Sequence, residues 1–130
     1  MIELRTPAQI EQMRPAVRFV ASVISALAEK AEVGVNLLEL DALAHQMIRE
    51  RGAESCYIDY HPSFGASPFG KVLCTSVNDA VLHGLPHDYV LADGDLVGDG
   101  VLGRVDPDHA GGRLVGDVDE VRLRIEEEAV

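Results

Sequence analysis

The sequence predicts an α/β architecture of the segregated, α+β kind: two helices on a small antiparallel sheet, followed by an irregular tail. Three observations predict it. Two capped stretches before residue 52 repeat apolar residues at the helical period. Short apolar runs bounded by Gly, Asn and Asp follow. The composition then changes sharply at residue 98. The 130 residues are one domain's worth of chain. That length buries roughly two thirds of its unfolded surface without needing a disulfide or structural metal.

Thr6 caps the first helix, Pro7 suits its first position, and Gln9 completes a capping-box spacing. Ile10, Met13, Val17, Val20, Ile24, Leu27 and Ala31 then recur at helical spacing. Pro15 falls inside this pattern and removes one backbone donor. A kink or a restarted helix is expected there, since an interior proline costs ~3 kcal/mol if nothing relaxes. Val33-Gly34-Val35 is a break. Asn36 caps the second helix, with Glu39 three residues on and an apolar stripe of Leu37, Leu40, Ala44, Met47 and Ile48. Gly52 ends it, after Arg49 and Arg51 in the last turn.

Beyond Gly52 the sequence reads as strands and loops. Ser55 to Tyr60 is short, aromatic and strand-like; His61 to Gly70, with two prolines and two glycines, is a loop. Lys71 to Val77 predicts a strand, Asn78-Asp79 a turn, and Ala80 to Leu82 a second strand arm ending at His83-Gly84. Asp93-Gly94-Asp95 is a turn, with a strand starting at Leu96-Val97. Residues 98–130 hold six of the twelve glycines and none of the six aromatics. Within them Glu120 to Glu126 alternates like a strand, and Asp117 to Ala129 suits a charged helix equally well.

Charge narrows the function. The formal net charge of -11 leaves no basic surplus to neutralise phosphates, so neither nucleic acid nor an anionic membrane is expected as a partner. The longest nearly apolar run, Phe19 to Ala28, is too short to span a bilayer, and Met1 to Arg5 does not read as a signal peptide. Two cysteines, Cys56 and Cys74, make no disulfide framework, which fits a reduced, cytoplasmic setting.

Several motifs fail on inspection. Gly98-Asp99-Gly100-Val101-Leu102-Gly103 matches GxGxxG, but Pro107, Gly111 and Gly112 follow instead of a helix, so a phosphate has no helix N-terminus to meet. Asp93, Asp95 and Asp99 suggest calcium, yet the twelfth position from Asp93 is Arg104, where a bidentate glutamate is required. A solvated acidic turn is expected instead. None of His45, His61, His83, His87 and His109 sits in HExxH or beside CxxC. By itself His83 reads as a structural histidine at a strand end, with its near-neutral pKa leaving catalysis open. Cys74 reads as a small buried hydrophobe.

The segment Cys74-Thr75-Ser76-Val77-Asn78-Asp79-Ala80-Val81-Leu82-His83-Gly84-Leu85-Pro86 changes this picture. It resembles the motif C-x-S-x-N-[DE]-x-x-x-H-G-[IL]-P of type I methionine aminopeptidases. The resemblance extends back through Tyr60, Gly52-Ala53, Leu40-Asp41, Gly34-Val35, Met13-Arg14 and Thr6-Pro7, and forward to Asp93-Gly94-Asp95-Leu96-Val97. It covers residues 1–97 and leaves 98–130 apart as a divergent Gly/Asp/Arg-rich tail.

The resemblance implies the N-terminal half of a pita-bread fold. It implies a cytoplasmic metallo-hydrolase that removes the initiator methionine from nascent chains, with two divalent metal ions (cobalt, manganese or iron) sharing a hydroxide. Its partner is the N-terminus of a nascent peptide, or the ribosome. It implies that His83 is the catalytic residue and contacts substrate near the scissile amide, while Tyr57, Tyr60, Phe69 and Cys74 line the methionine pocket. The same resemblance places the two metal-bridging aspartates of this half at Gly100 and Gly111, which offer no side-chain ligand. Asp99 is one residue away, and Asp106 and Asp108 lie in no matching context. No specific metal site is therefore expected in this chain. The expectation is a truncated or frameshifted product that is inactive, or a peptide-binding remnant, with exposed sheet surface favouring self-association.

Overall fold

The computed structural model describes residues 4–61, 63, 67–99, 113–114 and 122–124. Two helices come first: α1 spans Pro7–Lys30 and α2 spans Leu37–Glu50. Both begin as predicted. The Thr6 hydroxyl accepts from the Gln9 amide, and Gln9 reaches back to the Thr6 amide. Asn36 and Glu39 repeat the arrangement on α2. The end of α2 is a Schellman turn: Ala53 N–H donates to the Ile48 carbonyl across Gly52, whose φ of 71° suits glycine.

Helix α1 does not restart at Pro15; it runs unbroken from Pro7 to Lys30. Pro15 and Glu11, whose carbonyl loses a partner, are both exposed, so water can satisfy that oxygen.

Among the described residues four strands form one antiparallel sheet: β1 (Thr75–Val77), β2 (Leu96–Asp99), β3 (Arg113–Leu114) and β4 (Arg122–Arg124), in the order β1-β2-β4-β3. β1 pairs with β2 with Val77 opposite Val97, and β2 pairs with β4 with Val97 opposite Leu123. Strand β2 thus runs through the compositional junction at Val97/Gly98. In the tail, the strand reading of Glu120 to Glu126 is realised over Arg122–Arg124.

Three strand expectations do not hold as drawn. Ser55 to Tyr60 is a set of turns, because the Ser55 hydroxyl takes the Tyr57 amide and the Tyr60 amide donates back to the Tyr57 carbonyl. Lys71 to Val77 is strand only from Thr75. The amides of Val72 and Leu73 both donate to one Asp41 carboxylate oxygen, at 2.9 and 3.1 Å, so they are withheld from any ladder. Ala80 to Leu82 forms no strand. Its start is committed to a tight turn, with the Ala80 amide donating to Val77, and its end is held by Gly84.

The core is Val23 and Leu27 of α1, Leu37, Leu40 and Ala44 of α2, Val72, Leu73, Leu91 and Val97. It ties both helices to the sheet through the segments that flank β1 and β2. Backbone bonds from Gly34 to Leu91, Leu91 to Val35 and Leu37 to Tyr89 stitch the start of α2 to the chain ahead of β2. The first half of α1 stays outside this core: Ile10, Met13, Val17 and Val20 are exposed although their spacing is that of a buried stripe. Among the described residues no helix is long and apolar enough to cross a membrane.

Candidate functional site

The site is built on a loop that leaves β1 and returns to it. At the exit, Asn78 takes a left-handed conformation with φ 55°. Its amide donates to the Leu96 carbonyl, and its side-chain oxygen accepts from the Leu96 amide. Its side-chain nitrogen donates to Asp95 at 2.9 Å. At the return, the Thr75 amide donates to the Gly84 carbonyl at 2.7 Å, and the Gly84 amide donates to the Ser76 hydroxyl at 3.2 Å. His83 sits just before this clamp with φ 57°, a conformation that disfavours any side chain with a Cβ. The clamp has no space to spare. A Cβ on Gly84 would overlap the Thr75 carbonyl oxygen. This close approach, not a special φ, is what requires glycine there.

The result is a specific juxtaposition: His83 Nδ1 stands 4.0 Å from Cys74 Sγ. His83 is exposed and Cys74 half-buried, so the imidazole faces solvent over a thiol set into the wall. The three aromatic candidates form a second group. The rings of Tyr57 and Phe69 meet at 6.0 Å and 53°. The Phe69 amide donates to Tyr60, and the Gly70 amide donates to Ile58. These two bonds fix the turn that carries the tyrosines against the approach to β1. Tyr57 and Tyr60 remain about half exposed, at 53% and 55%. The five candidates thus lie as an aromatic group and a thiol–imidazole pair, joined by the short backbone from Gly70 to Cys74. Chemically these are two partly open, polarisable groups, one of which carries a histidine.

Asp95, read from sequence as part of a solvated acidic turn, is buried at 7% exposure. It accepts three hydrogen bonds, from Asn78, from the Tyr89 hydroxyl and from the Ala92 amide, each 2.9 Å. Burial pushes its carboxyl up, but the donors outweigh that and hold it below the ordinary carboxylate value. The same contact raises Tyr89, because the hydrogen bond to Asp95 favours the neutral phenol and burial adds to it. The available signal was positional: an aspartate directly before an apolar strand, after a turn glycine, is placed to bond a neighbouring turn. Asp41 was missed in the same way; its place beside buried Leu40 on α2 gives no hint that it holds the Val72 and Leu73 amides.

Among the described residues no three His, Cys, Asp or Glu side chains stand close enough together to hold a metal ion. Asp99 closes β2 opposite Thr75. Positions 100, 106, 108 and 111, and His109, lie outside the described residues, as does most of the GxGxxG match. Its first two residues, Gly98 and Asp99, belong to β2. His45 is half-buried on α2, and His61 is exposed. His87 Nδ1 contacts the Leu85 carbonyl at 2.9 Å and its ring leans on Tyr89, so it serves the loop.

Comparison with known proteins points one way. Residues 11–106 match the model of metallopeptidase family M24. A methionine aminopeptidase of Chlamydia trachomatis is 34% identical over 127 residues, covering 95% of this chain and 42% of that protein. One from Aquifex aeolicus is 37% identical over 97 residues, covering 74% of this chain and 38% of that protein. Methionine aminopeptidase 2 of Mycobacterium tuberculosis is 35% identical, again over 95% of this chain and 42% of that protein. The longer alignments carry the similarity past Val97 into the tail. Among solved structures, the Rickettsia prowazekii methionine aminopeptidase superposes with a TM-score of 0.67 at 29% identity, over 76% of this chain and 38% of that one. The streptococcal enzyme superposes with a TM-score of 0.69, also at 29% identity, over 76% of this chain and 35% of that one. The chain spans about two fifths of the length of the curated relatives it matches.

Proposed function

Because this chain belongs to metallopeptidase family M24, we propose that it carries the methionine-recognising wall of a methionine aminopeptidase-type site and that, by itself, it binds an N-terminal methionine without hydrolysing the bond behind it. The observation that supports this is the meeting of Cys74 and His83 at 4.0 Å, with His83 on a loop clamped at both ends; the Tyr57–Phe69 ring pair lies on the segments that precede Cys74 in the chain. A thioether fits such a wall: its sulfur is polarisable, and it makes favourable contacts with ring edges and with a thiol. His83, exposed at the rim, stands where it can hydrogen-bond the backbone of a peptide whose first side chain lies in the wall.

The family implies divalent metal ions, which when bound supply a water of lowered pKa and polarise a carbonyl. The described residues do not fit such a centre, since no cluster of three ligating side chains is found among them. No hydrolytic step is therefore assigned to them. What these residues do is bind and orient: the aromatic group and Cys74 take the side chain, and His83 takes the backbone. The occupant proposed is the N-terminus of a nascent chain, in the cytoplasm. Two cysteines that form no disulfide agree with that setting.

A Met-Ala-Ser peptide titrated into the purified chain is expected to bind weakly, on the order of millimolar, and the His83→Ala chain to bind less. With cobalt or manganese added, calorimetry is expected to show only weak heats and no methionine release. Robust turnover abolished by His83→Ala, with two metals held per chain, would overturn the non-catalytic reading. We also propose that the chain self-associates through sheet edge and the exposed Ile10, Met13, Val17 and Val20 stripe. Size-exclusion chromatography should give an apparent mass that rises with concentration; a monomer peak independent of concentration counts against it.

A further inference from the structure

We infer that Asp95 is a positioning residue for His83: by holding Asn78 it fixes the loop from Asn78 to Gly84 and so sets His83 over Cys74. This rests on the reading of His83 as the peptide-contacting group, and it adds a residue that touches no substrate.

The loop has two anchors. The return anchor, at Gly84, is built from backbone and the Ser76 hydroxyl. The exit anchor uses a side chain as well as backbone: Asn78, at φ 55°, has its amide group engaged on both sides. One side is the Leu96 amide, which belongs to β2. The other is Asp95 Oδ1, itself fixed by burial and by the Ala92 and Tyr89 donors on Oδ2. Asp95 therefore keys the turn to the start of β2. His83 has φ 57°, so its backbone does not rest in its preferred well and must be held there by both anchors. Val81 and Leu82, between the anchors, are 73% and 61% exposed and contribute little burial to hold the loop. Without Asp95, Asn78 keeps its bonds to Leu96 but loses the one that ties its side-chain nitrogen to the buried start of β2, and residue 83 enters the clamp from a less fixed direction.

The test is a double-mutant cycle read at Cys74, in a Cys56→Ser background so that Cys74 is the sole thiol. Iodoacetamide is the probe. His83 Nδ1 stands 4.0 Å from the thiol, so His83→Ala is expected to slow alkylation at pH 7 about fivefold. In the Asp95→Asn chain the same His83→Ala change is expected to alter the rate by less than about twofold, the range in which uncoupled sites add. A merely structural role would speed or slow alkylation in both members of the pair and leave their ratio intact. Tyr89→Phe, which leaves the Asn78 and Ala92 bonds, should keep the full fivefold effect. Should Asp95→Asn fail to show the parent's helical circular dichroism, Asn78→Gly takes its place: glycine accepts φ 55° freely and deletes only the side-chain links. A His83 effect that persists undiminished in the folded variant overturns the proposal, as does a parent in which His83→Ala changes nothing. Failure of the peptide to bind, with the cycle intact, would instead overturn the peptide reading alone.

Discussion

Gly84→Ala is expected to destabilise the chain by at least ~3 kcal/mol. The new Cβ would overlap the Thr75 carbonyl oxygen and lie 2.9 Å from its carbon and 3.1 Å from the Ser76 Cα. All three are backbone atoms of β1, so no rotamer can move aside. Relief requires lifting the loop off the strand, which breaks the Thr75–Gly84 bond of 2.7 Å and the Gly84–Ser76 bond together. Both Thr75 and Ser76 are buried, so the groups released have no water at hand. Gly34→Ala is the informative control. Its φ of 91° is unfavourable for alanine, but nothing lies within 4 Å of the added methyl. A cost near 1 kcal/mol is expected there, from backbone conformation alone. Urea denaturation followed by circular dichroism measures both. Equal losses in the two variants would mean that the clamp at Gly84 is looser than drawn.

Asp95→Asn is expected to cost about 2 kcal/mol at pH 7 and to flatten the acid limb of the stability curve. Three donors converge on the carboxylate, two of them on Oδ2. An amide can keep its oxygen for Tyr89 and Ala92, but its nitrogen then faces the Asn78 nitrogen. Asn78 cannot turn over to help, because its oxygen is held by the Leu96 amide. The direction of the pH effect follows from the lowered pKa. Asp95 is held below its ordinary carboxylate value when folded and returns to that value on unfolding. Its stabilisation is therefore complete above the ordinary carboxylate value and is lost as pH falls through that value toward the lower folded one. The parent should lose more melting temperature between pH 5 and pH 3 than the Asp95→Asn chain. Parallel curves for the two would show that Asp95 carries no such linkage. Other carboxylates titrate in the same range in an acidic chain, which is why the difference between the two curves, and not either alone, is the quantity to read.

Local residue order settles the helical layer and carries the resemblance to the family to which the chain belongs. Capping at Thr6 and Asn36, and the glycine stop at Gly52, are local rules: each depends on residues three or four apart, and the structure obeys each of them. The Cys74 to Pro86 stretch is legible as a family motif for the same reason: its residue types lie at short spacing. The strands were less so. A strand is decided by where its amides find acceptors, and here the decisive acceptors are distant in sequence. Asp41 on α2 takes the amides of Val72 and Leu73, which delays β1 to Thr75. The Gly84 carbonyl takes the Thr75 amide and thereby turns Ala80 to Leu82 into a loop. Asp95 was misjudged for the same reason. An aspartate in an acidic turn looks solvated until the turn at Asn78, the Tyr89 hydroxyl and the Ala92 amide close over it. Only the tertiary structure brings His83 to 4.0 Å from Cys74, nine residues away, and only it shows the two anchors that keep them there. Periodicity and caps act within a turn of helix and can be read one residue after another. Burial and long-range hydrogen bonds belong to the packed chain, so the site they build appears only when the elements meet.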